Sequence, residues 1–157
     1  MLDPIPPPAA HRPEEALQLV AAALSDGDLE AALAQYERGA VLQPWAARAG
    51  EAGDSLRGTL AHLMALRLPL SATVRAVLAS GDLALVLAQR QIAGTGPAGE
   101  RIELSGLGPS LIRRRPDGAW CIAAEAWCLG EPGGAAAPTS PLQPAVPAGP
   151  AQPPAPW

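Results

Sequence analysis

The hydrophobic positions at the start of the chain recur with helical spacing. A helix is predicted to begin at Pro13, which suits a first turn, and Glu14 and Glu15 complement the positive end of its dipole. The predicted buried face consists of residues three or four apart, namely Leu17, Val20, Ala21 and Leu24. The turn residues Ser, Asp and Gly at 25–27 end this helix.

A second, shorter helix is predicted directly after that turn. Asp28 can cap it, and the apolar spacing continues at Leu29, Ala32, Leu33 and Tyr36. Two short helices joined by a three-residue turn pack as a hairpin. Gly39 ends the second helix, and residues 40–43 then predict a short strand that stops at Pro44.

The later part of the chain predicts one more helix and then strands. The helix covers about Leu56–Leu68, after a loop rich in alanine and glycine. Beyond Pro69, turn signals divide four predicted strands: Ser71–Ala79, Leu83–Ala93, Arg101–Arg114 and Trp120–Leu129. A bulge or sharp bend is expected within the third strand, at Gly106, Gly108 and Pro109. Helices followed by an antiparallel meander predict an α+β domain, with the helices on one face of a curved sheet.

Composition sets the expected limits of this domain. Residues 1–12 are rich in proline and are expected to be disordered, and residues 13–129 form the domain. Residues 130–157 are mostly Pro, Ala and Gly and are expected to be a disordered tail. Prolines at every third tail position would line one edge of a polyproline II helix, which suits either a docking segment or a semi-rigid linker. The proline positions are 138, 141, 144, 147, 150 and 153.

The charge balance excludes some partners. The chain has a net charge of −4, which argues against nucleic acid because phosphate binding needs a basic face. No basic and apolar leader is visible at the start, and no apolar stretch is long enough to span a membrane, so we expect a cytoplasmic protein. Only 17% of residues are charged, below the roughly 25% typical of soluble domains, so part of the surface is expected to be buried against a partner.

Few residues suit a metal or redox site. Cys121 and Cys128 are seven residues apart on one predicted strand, about 23 Å at ~3.3 Å per residue, and we expect buried, inert thiols. His62 lies off the apolar stripe of its helix, and His11 falls in the Pro-rich start. No metal site and no cofactor are therefore expected.

Several short motifs occur in an order that resembles a known superfamily. They are Ser25-Asp26-Gly27-Asp28-Leu29-Glu30, Tyr36, Leu56-Arg57-Gly58 and Arg114-Arg115-Pro116-Asp117-Gly118-Ala119-Trp120, followed by the strand Trp120–Trp127. This order resembles the SnoaL-like and ketosteroid-isomerase-like branch of the nuclear transport factor 2-like (cystatin-like) superfamily. The resemblance implies a cone in which a curved antiparallel sheet wraps around three helices and leaves a pocket. Many such domains dimerise through the outer face of the sheet.

The resemblance does not carry over the chemistry of ketosteroid isomerase. That enzyme uses an Asp base, with a Tyr and a protonated Asp as its oxyanion hole, an arrangement that serves as a standard example of pKa tuning. The matching positions in this chain fall near Val20, Pro44 and Ser110. None of these side chains can perform the required proton transfer or donation, so isomerase activity of that type is not expected.

Glu103 and Glu125 remain as candidate acid–base carboxylates. Strand alternation groups Glu125 with Cys121, Ala123 and Trp127, opposite Ile122. If Ile122 faces the helices, Glu125 faces outward. Both faces of this strand and of Leu83–Ala93 are largely apolar, which predicts a homodimer through the sheet.

Three functions therefore stay open at this stage. The first is a non-catalytic pocket domain that binds a small apolar molecule. The second is an enzyme of polyketide-cyclase-like or isomerase-like type that uses Glu103 or Glu125. The third is an assembly module in which the dimeric sheet and the tail bring partners together. The candidate pocket residues are Tyr36, Gln43, Trp45, Met64 and Trp120.

Overall fold

The computed structural model describes residues 7–43 and 55–129. The helices are α1 (Pro13–Asp26), α2 (Leu29–Leu33) and α3 (Leu56–Ala65). The strands are β1 (Tyr36–Gln43), β2 (Leu70–Ser80), β3 (Leu83–Thr95), β4 (Arg101–Arg114) and β5 (Trp120–Ala126). The expectations for residues 1–6, for Pro44, Trp45 and the loop to residue 54, and for the tail 130–157 lie outside the described residues.

The helix ends follow from local hydrogen bonds. At the start of α1, the Glu15 carboxylate accepts bonds from the backbone N–H groups of His11 and Arg12, at 2.7 and 3.2 Å. Gly27 ends α1 with φ 77°, a left-handed conformation that glycine adopts without strain. Asp28 caps α2 by accepting from the N–H of Ala31, as the sequence predicts.

The five strands form one sheet in the order β1-β5-β4-β3-β2. The sheet is curved and open, and the helices precede most of it in the chain, so the expected α+β class is confirmed. One strand pair departs from the expected antiparallel arrangement, because β1 pairs with β5 in parallel. All other strand pairs are antiparallel.

The helices pack on the concave face of the sheet. Alternate residues of β3 are buried, from Ala84 to Ile92, and they meet the apolar stripe of α1 in one core. The expected α1 stripe is confirmed, since Leu17, Val20 and Leu24 are all buried. Met64 is half-buried and packs against the same core.

Two expectations about the start of the chain are wrong. Residues 7–12 are not loose: Ala10 is buried and bridges to Trp120, and Gln35 Nε2 donates to the carbonyl of Pro8 at 2.8 Å. Tyr36 does not lie on the second helix. It begins β1 instead. The backbone N–H of Ile122 in β5 donates to the carbonyl of Gln35, the preceding residue, so this segment pairs with the sheet.

The bulge expected in β4 at its glycines is also wrong for the pairing of β4 with β3. The β3–β4 register runs without a break from Leu83↔Arg113 to Thr95↔Arg101. The bulge lies instead in β5, where Ile112 pairs with Ile122 and Leu111 pairs with Ala124. Ala123 is therefore the extra residue, and beyond it the side-chain alternation of β5 is reversed.

Gly106 and Gly108 allow two segments of backbone to approach each other closely. A Cβ on Gly106 would lie 1.7 Å from the carbonyl oxygen of Cys128, and one on Gly108 would lie 2.0 Å from that of Ala126. Both contacts are impossible for a side chain, so these positions require glycine. The end of β5 and the residues after it can thus lie directly against β4.

Candidate functional site

Glu125 lies inside the domain, which corrects the expectation that it faces outward. Its side chain is only 1% exposed. The bulge at Ala123 is the reason, because it brings Ile122 and Glu125 to the same face of β5. Glu125 pairs with Ser110 of β4, which is also fully buried.

Four side chains from four strands form a buried polar cluster on the concave face. Arg90 Nη2 donates to Glu125 Oε2 at 2.7 Å and to Ser110 Oγ at 2.8 Å. Ser110 Oγ donates to the same carboxylate oxygen at 3.0 Å. The hydroxyl of Tyr36, from β1, donates to the other oxygen, Oε1. We refer to Tyr36, Arg90, Ser110 and Glu125 as the polar cluster.

The ionic state of the cluster follows from its contacts. Arg90 is 2% exposed, and its charge is balanced by Glu125 at hydrogen-bond distance, so the cluster is neutral as a whole. Both oxygens of the Glu125 carboxylate accept hydrogen bonds from neighbouring side chains. Burial raises the pKa of Tyr36 well above its ordinary value of 10, and the neighbouring Glu125 charge raises that pKa further. Tyr36 is therefore a neutral donor.

Trp127 closes one side of the cluster. The Arg90 guanidinium lies over its indole ring at 5.1 Å from the centroid, and the residue is 2% exposed. Its backbone N–H donates to the carbonyl of Gln43 at 3.0 Å, which ties the ends of β1 and β5 together. Its indole Nε1–H is buried and has no hydrogen-bond partner among the described residues.

Glu103, the other predicted carboxylate, is not part of this cluster. It lies on β4 with a side chain that is 38% exposed, and it pairs with Arg101 at 3.2 Å. It also lines a depression of about 450 Å³ together with Gln91, Thr95 and Ile102, near the tip of the β3–β4 hairpin. The structure therefore does not bring the two candidate carboxylates together.

The predicted pocket residues fall at different places. Tyr36 belongs to the polar cluster, and Gln43 ends β1 beside Trp127. Trp120 is buried in the core, with the Arg114 guanidinium 5.6 Å from its ring, and it lines a depression of about 350 Å³ near Pro8. Met64 packs on the helical side of the core. Trp45 lies outside the described residues.

Of the three depressions described for this part of the chain, only the one near Pro8 touches the polar cluster, and it does so through Tyr36. A third one, of about 440 Å³, lies between the end of α3 and the β3–β4 turn. Only Tyr36 is shared between the cluster and any of the three depressions. The interior around the cluster is occupied by close-packed side chains, among them Val86, Ile112 and Ile122.

The histidine and cysteine side chains of the described residues lie outside the polar cluster. In the described ranges, no group of three or more His, Cys, Asp or Glu side chains is arranged to hold a metal ion. His62 is exposed on α3, as predicted. Cys121 is buried, and burial raises the pKa of its thiol. Cys128 is exposed, so the expectation of two buried thiols is wrong for Cys128. Among the helices that the structure describes, none is long and apolar enough to cross a membrane.

Sequence reasoning missed Arg90 and the true position of Trp127. A signal for Arg90 was present, because alternation along β3 places it on the same face as Ala84, Val86, Ala88 and Ile92. An arginine in such a row predicts a buried ion pair.

Comparisons with known proteins identify the fold. The chain matches no protein-family model, and the search of curated proteins finds no relative. Among solved structures, a conserved protein from Planctomyces limnophilus is similar with a TM-score of 0.64 and 18% identity, over 74% of this chain and 92% of the other. A ketosteroid isomerase-like protein from Erwinia carotovora gives a TM-score of 0.56 and 20% identity, over 73% and 90%. An NTF2-like protein of unknown function from Shewanella oneidensis gives 0.53 and 18%, over 72% and 93%.

Proposed function

Starting from the nuclear transport factor 2-like fold that this chain has, we propose that the protein is a homodimeric, non-catalytic domain that binds a small, largely apolar molecule. The binding side is the concave face of the sheet. The observation that carries this proposal is the polar cluster itself: a few convergent polar side chains set into an apolar wall. Small-molecule sites usually combine these two features.

The contacts of Glu125 argue against a role as a general base. Its carboxylate already accepts bonds from Tyr36, Arg90 and Ser110. These bonds occupy three of the roughly four lone-pair sites of the carboxylate, and the side chain is only 1% exposed, so a substrate proton has little access to it. Moreover, taking a proton would remove the charge that compensates the buried Arg90 guanidinium, which is costly. The cluster is therefore better suited to shape and polarise a pocket than to transfer protons.

The outer face of the sheet supports the homodimer. One apolar row crosses all five strands in register: Val41, Ala124, Leu111, Leu85 and Leu78. Val41 and Leu78 are 58% and 65% exposed, which is unusual for large apolar side chains grouped on one surface. Cys121 and Trp127, by contrast, are buried within the chain and need no partner to explain them.

The edge of the sheet favours face-to-face rather than edge-to-edge association. The outer strand β2 has a register shift between Val74 and Ala76. The extra residue is Arg75, and a charged bulge in an edge strand hinders pairing with another strand. A second copy is therefore expected to cover the apolar row.

Native mass spectrometry of the purified full chain tests the proposed function. We expect a mass of twice the chain plus a small increment, and the increment should be identified as a largely apolar molecule after denaturation. A dimer without any increment, and without a thermal shift in a panel of small apolar compounds, would favour the assembly module instead. A monomer would contradict the dimer.

A second candidate, an enzyme, is supported by one observation, because the structure places Glu125 inside the concave face. In that case Glu125→Gln abolishes turnover of an identified substrate, and Glu103→Gln, the exposed counterpart, leaves turnover unchanged. Isomerisation of a Δ5-3-ketosteroid is not expected. Val20 and Ser110 stand at two of the resembled catalytic positions, and each lost donor costs about 10²–10³ in rate.

A further inference from the structure

After Ala126 the chain leaves β5 and crosses over the concave face of β4. Gly106 pairs with Arg90, which points to the concave side, so a Cβ on Gly106 would point to the same side. That Cβ would lie 1.7 Å from the carbonyl oxygen of Cys128. The oxygen is therefore above the concave face, and residues 127–129 cover this part of it.

Residues 127–129 also fill the space beside the polar cluster. Trp127 is buried, with its ring 5.1 Å from the Arg90 guanidinium, and Leu129 is buried in the hydrophobic core. The concave face is the side on which the proposed ligand would bind. Because residues 127–129 occupy that side, we refer to them as the plug.

Few directional contacts hold the plug in place. In the part of the chain that the structure describes, its one backbone hydrogen bond runs from the N–H of Trp127 to the carbonyl of Gln43, at 3.0 Å. The strand β5 ends before the plug, at Ala126. The plug can therefore move away without breaking the ladder that joins β4 and β5.

The closed position of the plug leaves one donor unpaired. The indole Nε1–H of Trp127 is buried without a partner among the described residues. An unpaired buried donor costs the desolvation of that group, whereas water satisfies the same N–H once the ring is exposed. This cost offsets part of the stabilisation from burying the ring and stacking it on Arg90.

The surface under the plug does not depend on the plug for its own hydrogen bonds. Arg90 donates to Glu125 at 2.7 Å and to Ser110 at 2.8 Å, and Tyr36 donates to Glu125 from β1. None of these groups belongs to residues 127–129. The polar cluster can therefore keep its arrangement when the plug moves.

We propose that the plug is a built-in occupant of the concave face, which moves aside by a local opening and uncovers the ligand site while the sheet stays folded. This proposal rests on the proposed ligand-binding function and adds a conformational step to it. A ligand that needs the open form binds with an apparent affinity reduced by the fraction of open molecules.

Native-state hydrogen exchange of the full chain tests the opening. Trp127 and Ile122 are both buried, and their backbone N–H groups donate to the carbonyls of Gln43 and Gln35, at 3.0 and 2.8 Å. We expect the N–H of Trp127 to be at least about tenfold less protected than that of Ile122, because local opening releases it. At low urea its exchange should also be independent of urea, unlike exchange through global unfolding.

Indole is the probe for the uncovered space, because it matches the ring that it would replace. At this place it can bind only the open form, so rising indole should speed the exchange of the Trp127 N–H by mass action. The exchange of the Ile122 N–H should not become faster.

A matched pair of variants tests the contact with β4. Gly106→Ala places a Cβ against the Cys128 oxygen and should speed the urea-independent exchange of the Trp127 N–H by about tenfold. Gly58→Ala, in α3, should leave that exchange unchanged. Should Gly106→Ala fail to fold, the indole series on the unmodified chain decides.

The outcomes separate the plug from the proposed function. Equal protection of Trp127 and Ile122, with the same dependence on urea, overturns the proposal and makes residues 127–129 a fixed part of the core. Faster exchange at Trp127 that does not respond to indole overturns the role as occupant. A dimer without a ligand in the native mass spectrum, together with an opening plug, contradicts the proposed function alone.

Discussion

Two glutamates of this chain are each paired with an arginine, but in opposite surroundings. The Arg101–Glu103 side chains are 83% and 38% exposed, whereas the Arg90–Glu125 side chains are 2% and 1% exposed. An exposed pair contributes only about 0–1 kcal/mol because water screens it. Removing one partner of a buried pair leaves an uncompensated charge, which costs about 3–5 kcal/mol. The two pairs thus form an internal comparison.

We expect Glu125→Gln to lower the free energy of unfolding by about 3–5 kcal/mol, and Glu103→Gln to lower it by less than about 1 kcal/mol. Urea unfolding followed by circular dichroism measures both. The double variant Arg90→Met/Glu125→Gln should be more stable than Glu125→Gln alone, since it no longer buries a lone charge. Equal effects of Glu103→Gln and Glu125→Gln would mean that the buried pair does not support the fold.

Tyr36 links stability to alkaline pH. Its pKa is raised in the folded state, so the folded protein keeps the phenol proton at a pH where the unfolded chain, with a pKa of about 10, loses it. The contribution of Tyr36 to stability is therefore complete below about pH 10 and is lost as pH rises through the folded pKa. The chain has one tyrosine and no lysine, so few other groups titrate in this range.

We expect the free energy of unfolding to fall above about pH 10, and this fall to be smaller in Tyr36→Phe. Urea unfolding at a series of pH values measures the slope, and ultraviolet absorbance of the single phenol measures its titration directly. Cys121→Ala serves as control, because burial also raises the pKa of that thiol and adds a slope from about pH 9. A phenol that titrates at its ordinary pKa in the folded protein would contradict the buried cluster.

At the scale of elements, β4 and β5 depend on one bulge and two glycines. The bulge at Ala123 brings Glu125 to the concave face, and the glycines at 106 and 108 let the chain around Cys128 and Ala126 lie against β4. These features act together, because the same stretch of backbone carries Glu125 and Trp127. A side chain at either glycine would push this stretch away from Arg90.

We expect Gly106→Ala to lower the free energy of unfolding by about 1–3 kcal/mol or more, because its Cβ would meet the backbone oxygen of Cys128 at 1.7 Å. Gly58→Ala is the matched control in α3. Its Cβ would meet only the Ser55 side chain at 3.3 Å, and alanine favours a helix, so this change should be neutral or stabilising. Thermal or urea unfolding measures the stability of both variants. A Gly106→Ala variant as stable as the unmodified chain would show that β4 and the backbone around Cys128 can move apart without loss of stability.

At the scale of the whole molecule, the outer face of the sheet is divided into two halves. The row that includes Leu78, Leu85 and Leu111 is apolar, whereas Gln91, Ser105 and Glu103 lie further along β3 and β4. A dimer interface of this kind is expected to centre on the apolar half, because burying the polar half would leave its side chains without water.

We expect Leu85→Glu to convert the proposed dimer into a folded monomer, since its single symmetric interface would bury one added carboxylate from each copy. Gln91→Glu adds the same charge on the same face of β3, but in the polar half, and should leave the dimer intact. Light scattering at micromolar concentration gives the mass, and circular dichroism confirms folding. A dimer that tolerates Leu85→Glu would place the interface elsewhere.

Local patterns determined most of the secondary structure. Caps, turns and alternation between neighbouring residues explain why α1 begins at Pro13, why α3 begins at Leu56 and where β4 begins and ends. These interactions are present within a short stretch of chain. The composition of residues 13–129 and the order of elements likewise indicated an α+β domain, which the structure confirms.

Only the tertiary structure decided how the site is assembled. Alternation predicted the wrong face for Glu125, because a bulge is a property of two paired strands and Ala123 carries no signal of its own. Tyr36 continued a helical pattern but joined the sheet, because β5 offered hydrogen bonds that a short helix could not match. The cluster unites residues 15 to 89 positions apart, and such long-range contacts leave little trace in local sequence.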